Sequence, residues 1–471
     1  MGTHRSFVLV FVILLGLPSM AQRQVGQTQY ILTTHPSSFD SLSHRHGLNL
    51  QTTVWQNSNY NYAVYLVTDP SSRDSSRLAS ELGSDADTLG FEPNQVIQLP
   101  ELSGTTSAAL AQSTEGILDS LPGRTLVTFN GVTVPSNYVQ QPTTTIIRWA
   151  DALLSSHLTG DGIVAVIDTG VDLKHPALAS VLVPGFDFTR NQSEASELLD
   201  LDPNVAASLS QSTEGILDSN RAAQLNSSTL AILSQSTEGI LDGSPRAFGH
   251  GTMTVGLVHL IAPGARIMPL KAFKADGTSD ISNILRAIYY AVDHGSTIVS
   301  MSFEMAQPSP GLLGALDYAA DHNVVAIAAA GNDGQQTAVF PAGVEGVIGI
   351  GSTNNFDQRS TFSNFGSPDA TFAAPGEGVI STYPGNHYAA GWGTSFSAPI
   401  VAGAAALIEQ KHPNNLQCGV IKALAHAVAV PLMGYGRIDL YAALTAKAPV
   451  RGFSDPSCER GHEDGGHQRP D

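Results

Sequence analysis

The sequence predicts an α/β protein: a large domain of three layers built on a mostly parallel sheet, preceded by a small α+β unit. Three observations carry this. From residue 160 to 352, continuous apolar or β-branched runs alternate with helical stretches, and unbroken runs suit strands covered on both faces. Residues 29 to 100 hold a separate pattern of short elements, closed by a connector containing Ser, Thr, Gly and Pro. The composition, 42% hydrophobic and 14% charged over 471 residues, is that of a well-buried globular body with room for more than one domain.

Taken in order, His4 and Arg5 followed by the apolar stretch Phe7 to Leu17 read as an export signal. Ser19-Met20-Ala21 fits a small-x-small cleavage site, so residues 1–21 are expected to be removed. The apolar stretch is too short to span a bilayer, which predicts no membrane attachment after removal. In the unit 22–100, strands are expected at Tyr30–Thr33, Leu48–Trp55, Tyr62–Thr68 and Val96–Leu99, with helices at Phe39–His46 and Ser75–Gly83. That β-α-β-β-α-β order is the ferredoxin-like plan. Residues 101–140 form the connector, with a turn at Asn130-Gly131. The large domain runs 141–448 and opens on a short helix, Trp149–Leu154. Its strands are expected at Ile163–Ile167, Arg266–Phe273, Thr297–Phe303, Val324–Ala330 and Val347–Ile350, and its helices at Ile281–Asp293 and Leu312–His322. The charged, glycine-containing tail 449–471 is expected to be mobile.

The octet Gln-Ser-Thr-Glu-Gly-Ile-Leu-Asp occurs at Gln112–Asp119, Gln211–Asp218 and Gln235–Asp242. The spacing is irregular, so it is not a solenoid. Two copies fall in 189–245, which reads as an acidic insertion in a surface loop, where extra length costs little closure entropy. Net charge is −18 with no Lys/Arg block, which excludes nucleic acid as a partner. Cys418 and Cys458 admit two readings, a bridge in an oxidising compartment or two thiols that never meet.

Three segments carry chemistry. Gly393-Thr394-Ser395-Phe396-Ser397-Ala398-Pro399 opens an alanine-rich helical run and places a serine at a helix start behind a glycine. Val164–Gly170 sets Asp168 at the end of an apolar strand, and Phe248-Gly249-His250-Gly251-Thr252 presents an imidazole before another helix. In such a sheet, sites form beyond the carboxyl ends of strands, where Asp168 and Asn332 fall. Ser395 would attack a carbonyl, His250 would take and return its proton, and Asp168 would hold the imidazole tautomer.

In the order Asp, His, Ser, these motifs resemble the subtilase family of secreted, subtilisin-like serine endopeptidases. The resemblance extends over roughly residues 140 to 448, including Ala262–Arg266, Ser300–Phe303, Phe362–Gly366, Ala373–Gly376 and Gly434–Asp439. It implies protein or peptide substrates, no cofactor for the chemistry, and secretion to an extracellular or periplasmic space. It also implies that 22–100 is a propeptide, an intramolecular inhibitor cleaved off within the connector. Asn332, in Ala328-Ala-Ala-Gly-Asn332, resembles the oxyanion asparagine of the family. By the same resemblance Ser302, Phe303, Glu304, Ala329, Ala330 and Gly331 wall the pocket for the residue before the scissile bond. Glu304 departs from the glycine common there, and its carboxylate would narrow the cleft or favour a basic residue. The family's usual calcium ligand, nine positions after the catalytic aspartate, is here Ala177, so metal content stays open. Sedolisins, with Glu for the histidine and Asp for the oxyanion asparagine, fit worse. A carboxylesterase lacks support, because no Gly-x-Ser-x-Gly elbow surrounds Ser395. The alternative from another class is a catalytically silent subtilase scaffold that binds rather than cleaves.

Overall fold

The computed structural model describes residues 28–100, 116–117, 125–201, 247–366, 370–413, 416–447 and 450. The expected export signal, the tail apart from Val450, and the second and third octets lie outside the described residues, and of the first octet only Gly116–Ile117 falls within them.

The N-terminal unit consists of β1 (Gln29–Thr34), α1 (Phe39–His46), β2 (Asn49–Gln56), β3 (Ala63–Thr68), α2 (Ser75–Gly83) and β4 (Thr88–Pro93). Its antiparallel sheet has the order β2-β3-β1-β4, the ferredoxin-like arrangement. Both faces are covered. Tyr30, Leu32, Tyr65 and Val67 pack with Leu42 and Leu78 of the two helices. Their neighbours Ile31, Val64 and Leu66 point the other way, into a core shared with the large domain. That double burial explains why β3 reads as an unbroken apolar run.

One expected strand takes a different role. β5 (Val96–Gln98) does not close the N-terminal sheet; β4 does. β5 pairs antiparallel with β12 (Thr278–Asp280) of the large domain. A three-residue apolar segment carries no record of its partner, so order alone misassigned it.

After the backbone-defined β6 (Gly116–Ile117), a hairpin of β7 (Leu126–Phe129) and β8 (Val132–Pro135) turns at Asn130-Gly131, as expected. Phe129, Val134 and Tyr138 are buried in the main core, and Tyr138 Oη donates to Gly256 O at 2.7 Å. This hairpin, within the segment read as connector, thus packs into the core of the large domain. The chain continues through α3 (Trp149–Ser156), β9 (Ile163–Asp168), β10 (Phe186–Asp187), α4 (His250–Ile261), β11 (Arg266–Lys271), β12, α5 (Ile281–Asp293), β13 (Ile298–Met301), α6 (Pro310–Asp321), β14 (Val325–Ala329), β15 (Ile348–Thr353), β16 (Phe372–Pro375), β17 (Glu377–Tyr383), β18 (His387–Trp392), α7 (Thr394–Lys411), α8 (Leu416–Leu424) and α9 (Leu440–Thr445).

The central sheet has seven strands in the order β10-β11-β9-β13-β14-β15-β16, every pairing parallel. Alternation along β9 builds the layers: Val164 and Val166 face α4 and α7, whereas Ala165 and Ile167 face α5 and α6. This is the expected three-layer α/β architecture.

The segment 189–245 differs from the expected surface insertion in its first part. Glu197 is fully buried, and Asp200 Oδ2 accepts from Lys271 Nζ at 2.7 Å. Acidic residues read as a solvated loop are here paired inside the molecule; residues 202–246 lie outside the described ones. Cys418 is disulfide-bonded, and Cys458 lies outside the described residues. Among the described residues no helix is long and apolar enough to cross a membrane.

Candidate active site

Asp168 is the last residue of β9, and His250 is the first of α4. Gly249 caps that helix with φ +95°, and a Cβ there would lie 2.0 Å from Tyr383 Cε2, so glycine alone fits the entry to His250. His250 Nδ1 lies 2.7 Å from Asp168 Oδ1, both side chains buried. A carboxylate only accepts, so Nδ1 carries the proton and Nε2 of the neutral ring is the basic nitrogen. Asp168 Oδ1 also accepts from Thr169 N–H at 2.7 Å, and Oδ2 accepts from Thr254 Oγ1 at 3.1 Å. Those bonds hold the carboxylate in one orientation.

Ser395 is the second residue of α7, behind Gly393 with φ +147°. The Phe396 ring that follows it sits 5.2 Å from the His250 ring, centroid to centroid. Pro399 stands four residues on, and its missing N–H deprives the Ser395 carbonyl of its helical partner. Ser302 Oγ replaces that partner, donating to Ser395 O at 3.0 Å, while Ser395 Oγ makes a long 3.4 Å contact with Ser302 O. Asn332 Oδ1 accepts from Thr394 N–H at 3.0 Å and Thr394 Oγ1 at 2.9 Å. A backbone N–H must find an oxygen, so this fixes the amide and turns Nδ2 away from Thr394.

The expected pocket wall divides. The side chains of Phe303, Ala329 and Ala330 belong to core clusters, so what they offer a cleft is backbone. Glu304 reaches Gly331: a Cβ on that glycine would lie 2.1 Å from Glu304 Oε2. The Glu304 backbone forms an antiparallel bridge with Gln98, and Leu99 N–H donates to Gly277 O at 3.1 Å. The segment Val96–Leu99 therefore lies as an extended strand between β12 and the chain at Glu304, with Ile97 and Leu99 buried. Ala177, where the resemblance would put a calcium ligand, is packed in the main core.

Sequence reasoning missed Thr254 and Glu197. Thr254 follows His250 at a spacing that any helix start can show. Glu197 lies 53 positions before His250 with no local pattern to mark it.

A profile of the subtilase family matches residues 160–431. The chain is 33% identical over 288 residues to a thermophilic serine proteinase of Bacillus sp. (strain AK1), which covers 60% of this chain and 61% of that protein. It is 35% identical over 175 residues to subtilisin BL of Lederbergia lenta, covering 35% and 65% respectively. To thermitase of Thermoactinomyces vulgaris it is 33% identical over 269 residues, covering 55% of this chain and 78% of that one. It thus spans less than two thirds of the length of the first two.

Proposed function

The chain belongs to the subtilase family, and from that footing we propose that it is a serine endopeptidase, exported and made as a self-processing zymogen. The observation that carries this is the buried 2.7 Å contact between His250 Nδ1 and Asp168 Oδ1, set beside the first turn of α7 that holds Ser395. His250 Nε2 takes the Ser395 hydroxyl proton as Oγ attacks the peptide carbonyl, and returns it to the leaving amine. Asp168, held by Thr169 and Thr254, stabilises the imidazolium. Asn332 Nδ2, with the Ser395 backbone N–H, receives the oxyanion. Water then hydrolyses the acyl-enzyme. This chemistry needs no cofactor.

The N-terminal unit is the propeptide, and Val96–Leu99 is its inhibitory strand. An extended substrate in the same register sets the residue before the scissile bond opposite Ser302. Ile97 and Leu99 then mark the fourth and second residues before that bond, both apolar. Glu304, whose carboxylate approaches Gly331, selects the residue at the bond itself and favours a cation. Peptide-library cleavage by Glu304→Gln should lose that preference; an unchanged preference removes Glu304 as a selector.

N-terminal sequencing of the secreted protein tests the reading. The active chain should show a new N-terminus beyond residue 100, and Ser395→Ala should retain the unprocessed one. Identical processing in both would contradict self-cleavage.

A further inference from the structure

We propose that Glu197 is a positioning residue for the catalytic pair: its charged carboxylate fastens the turn after Asp168 to the first turn of the helix bearing His250. The proposal rests on the triad reading above.

The carboxylate receives four hydrogen bonds. Oε1 accepts from Thr169 Oγ1 and from Gly249 N–H at 2.8 Å. Oε2 accepts from Thr252 N–H at 3.2 Å and Thr252 Oγ1 at 2.6 Å. Thr169 adjoins Asp168, while Gly249 and Thr252 flank His250. Both hydroxyls are already oriented: Thr169 Oγ1 accepts from Gly251 N–H at 2.9 Å, and Thr252 Oγ1 accepts from Asp172 N–H at 2.9 Å. Each must therefore turn its proton toward Glu197. Four donors meet an acceptor that is acceptor-only when ionised, and protonation would force one of them to turn away. Gly249 offers α4 no side-chain cap, so Glu197, 52 positions before it in the chain, caps the helix instead.

The neighbouring charges are Asp168 on β9, His250 on α4 and Lys271 on β11. Lys271 is itself held by Thr169 O at 2.6 Å and Asp200 Oδ2 at 2.7 Å. Burial pushes the Glu197 carboxyl up to about 7, against the hydrogen bonds from Thr169 and Thr252 and the charge of Lys271. The Asp168 charge adds to the rise. Because its folded pKa lies above the unfolded one, ionising Glu197 lowers stability as pH rises from about 4.5 to about 7. The same ionisation completes the clamp, so activity and stability respond to it in opposite directions.

Steady-state kinetics of the secreted enzyme on a peptide substrate test this, with Ser395→Ala as control. In the wild type the acid limb of kcat should be steeper than a single protonation, because turnover needs both an unprotonated base and an ionised Glu197. Glu197→Gln places an amide donor among donors. It should lower kcat about 100-fold at nearly constant KM, the scale of loss when a reacting group is misplaced by about 1 Å, and reduce the limb to one proton. A folded Glu197→Gln enzyme with wild-type kcat and an unchanged limb overturns the proposal. Should that variant not fold, Thr252→Val and Thr252→Ser decide. Val should lower kcat and move the acid limb to higher pH, and Ser should restore both; wild-type behaviour in Val overturns the proposal. A wild type without Ser395-dependent hydrolysis defeats the triad reading first, by a separate result.

Discussion

At the scale of single residues, the site depends on partners that fix orientation. Asn332 Oδ1 accepts from the Thr394 N–H and hydroxyl, which fixes the amide with Nδ2 as its donor end. Asn332→Ala should lower kcat by about 100- to 1000-fold with a small change in KM, a scale known from subtilisin itself. Steady-state kinetics check it, and a near wild-type kcat would remove Asn332 from the oxyanion site. Asp168, His250, Asn332 and Ser395 stood out as candidates because each sits in a short, glycine-flanked motif. Glu197 was not. Its role exists only through contacts with Thr169, Gly249 and Thr252, which no linear pattern encodes. Glu304 was legible as a departure from the family pattern, but its approach to Gly331, 27 positions on, arises only from the fold.

At the scale of elements, the two helices that carry His250 and Ser395 cross closely. A Cβ on Gly403 of α7 would lie 2.7 Å from Ile261 Cβ and 3.1 Å from Val258 O of α4. A small residue there sets the helix spacing, and so the separation of their N-termini. Gly403→Val should destabilise the enzyme by about 1–3 kcal/mol through overpacking, read by denaturant unfolding of the mature protein. Unchanged stability would mean that the crossing is not tight. Helix periodicity made α1, α2 and α5 legible to their ends, since a full amphipathic or apolar stripe fixes both limits. Short strands fared worse. β5 was misassigned, and β16 was not read as a strand, its Ala373–Gly376 entering only through the family resemblance, because three or four residues do not specify which strand they join.

At the scale of the whole molecule, the N-terminal unit docks on α5 and α6 through its sheet. Trp55 stacks on Tyr289 at 4.5 Å between centroids, and its Nε1 donates to Asp293 Oδ2 at 3.1 Å. Glu92 Oε1 accepts from Gly311 N–H at 2.8 Å at the start of α6, and Asn94 Oδ1 accepts from Ser282 N–H at 3.0 Å at the start of α5. On the proposed reading, these contacts hold the unit as a tethered inhibitor with the strand Val96–Leu99 along the cleft. Trp55→Ala should weaken inhibition of the mature enzyme by added residues 22–100 about 30-fold or more, the loss of one aromatic anchor; an unchanged inhibition constant would place the inhibitory contact elsewhere. The two-domain plan was legible from the change of pattern near residue 100. The docking face was hidden, since β3 reads alike whether its second face meets water-excluding helices or another sheet.

The central claim, that His250 and Asp168 activate Ser395, is tested most directly by covalent labelling with a fluorophosphonate probe, the adduct located by mass spectrometry. The mature wild type should be modified at Ser395, with the reaction lost in both Ser395→Ala and His250→Ala. A folded, processed wild type that stays unmodified would contradict the account and support a silent scaffold.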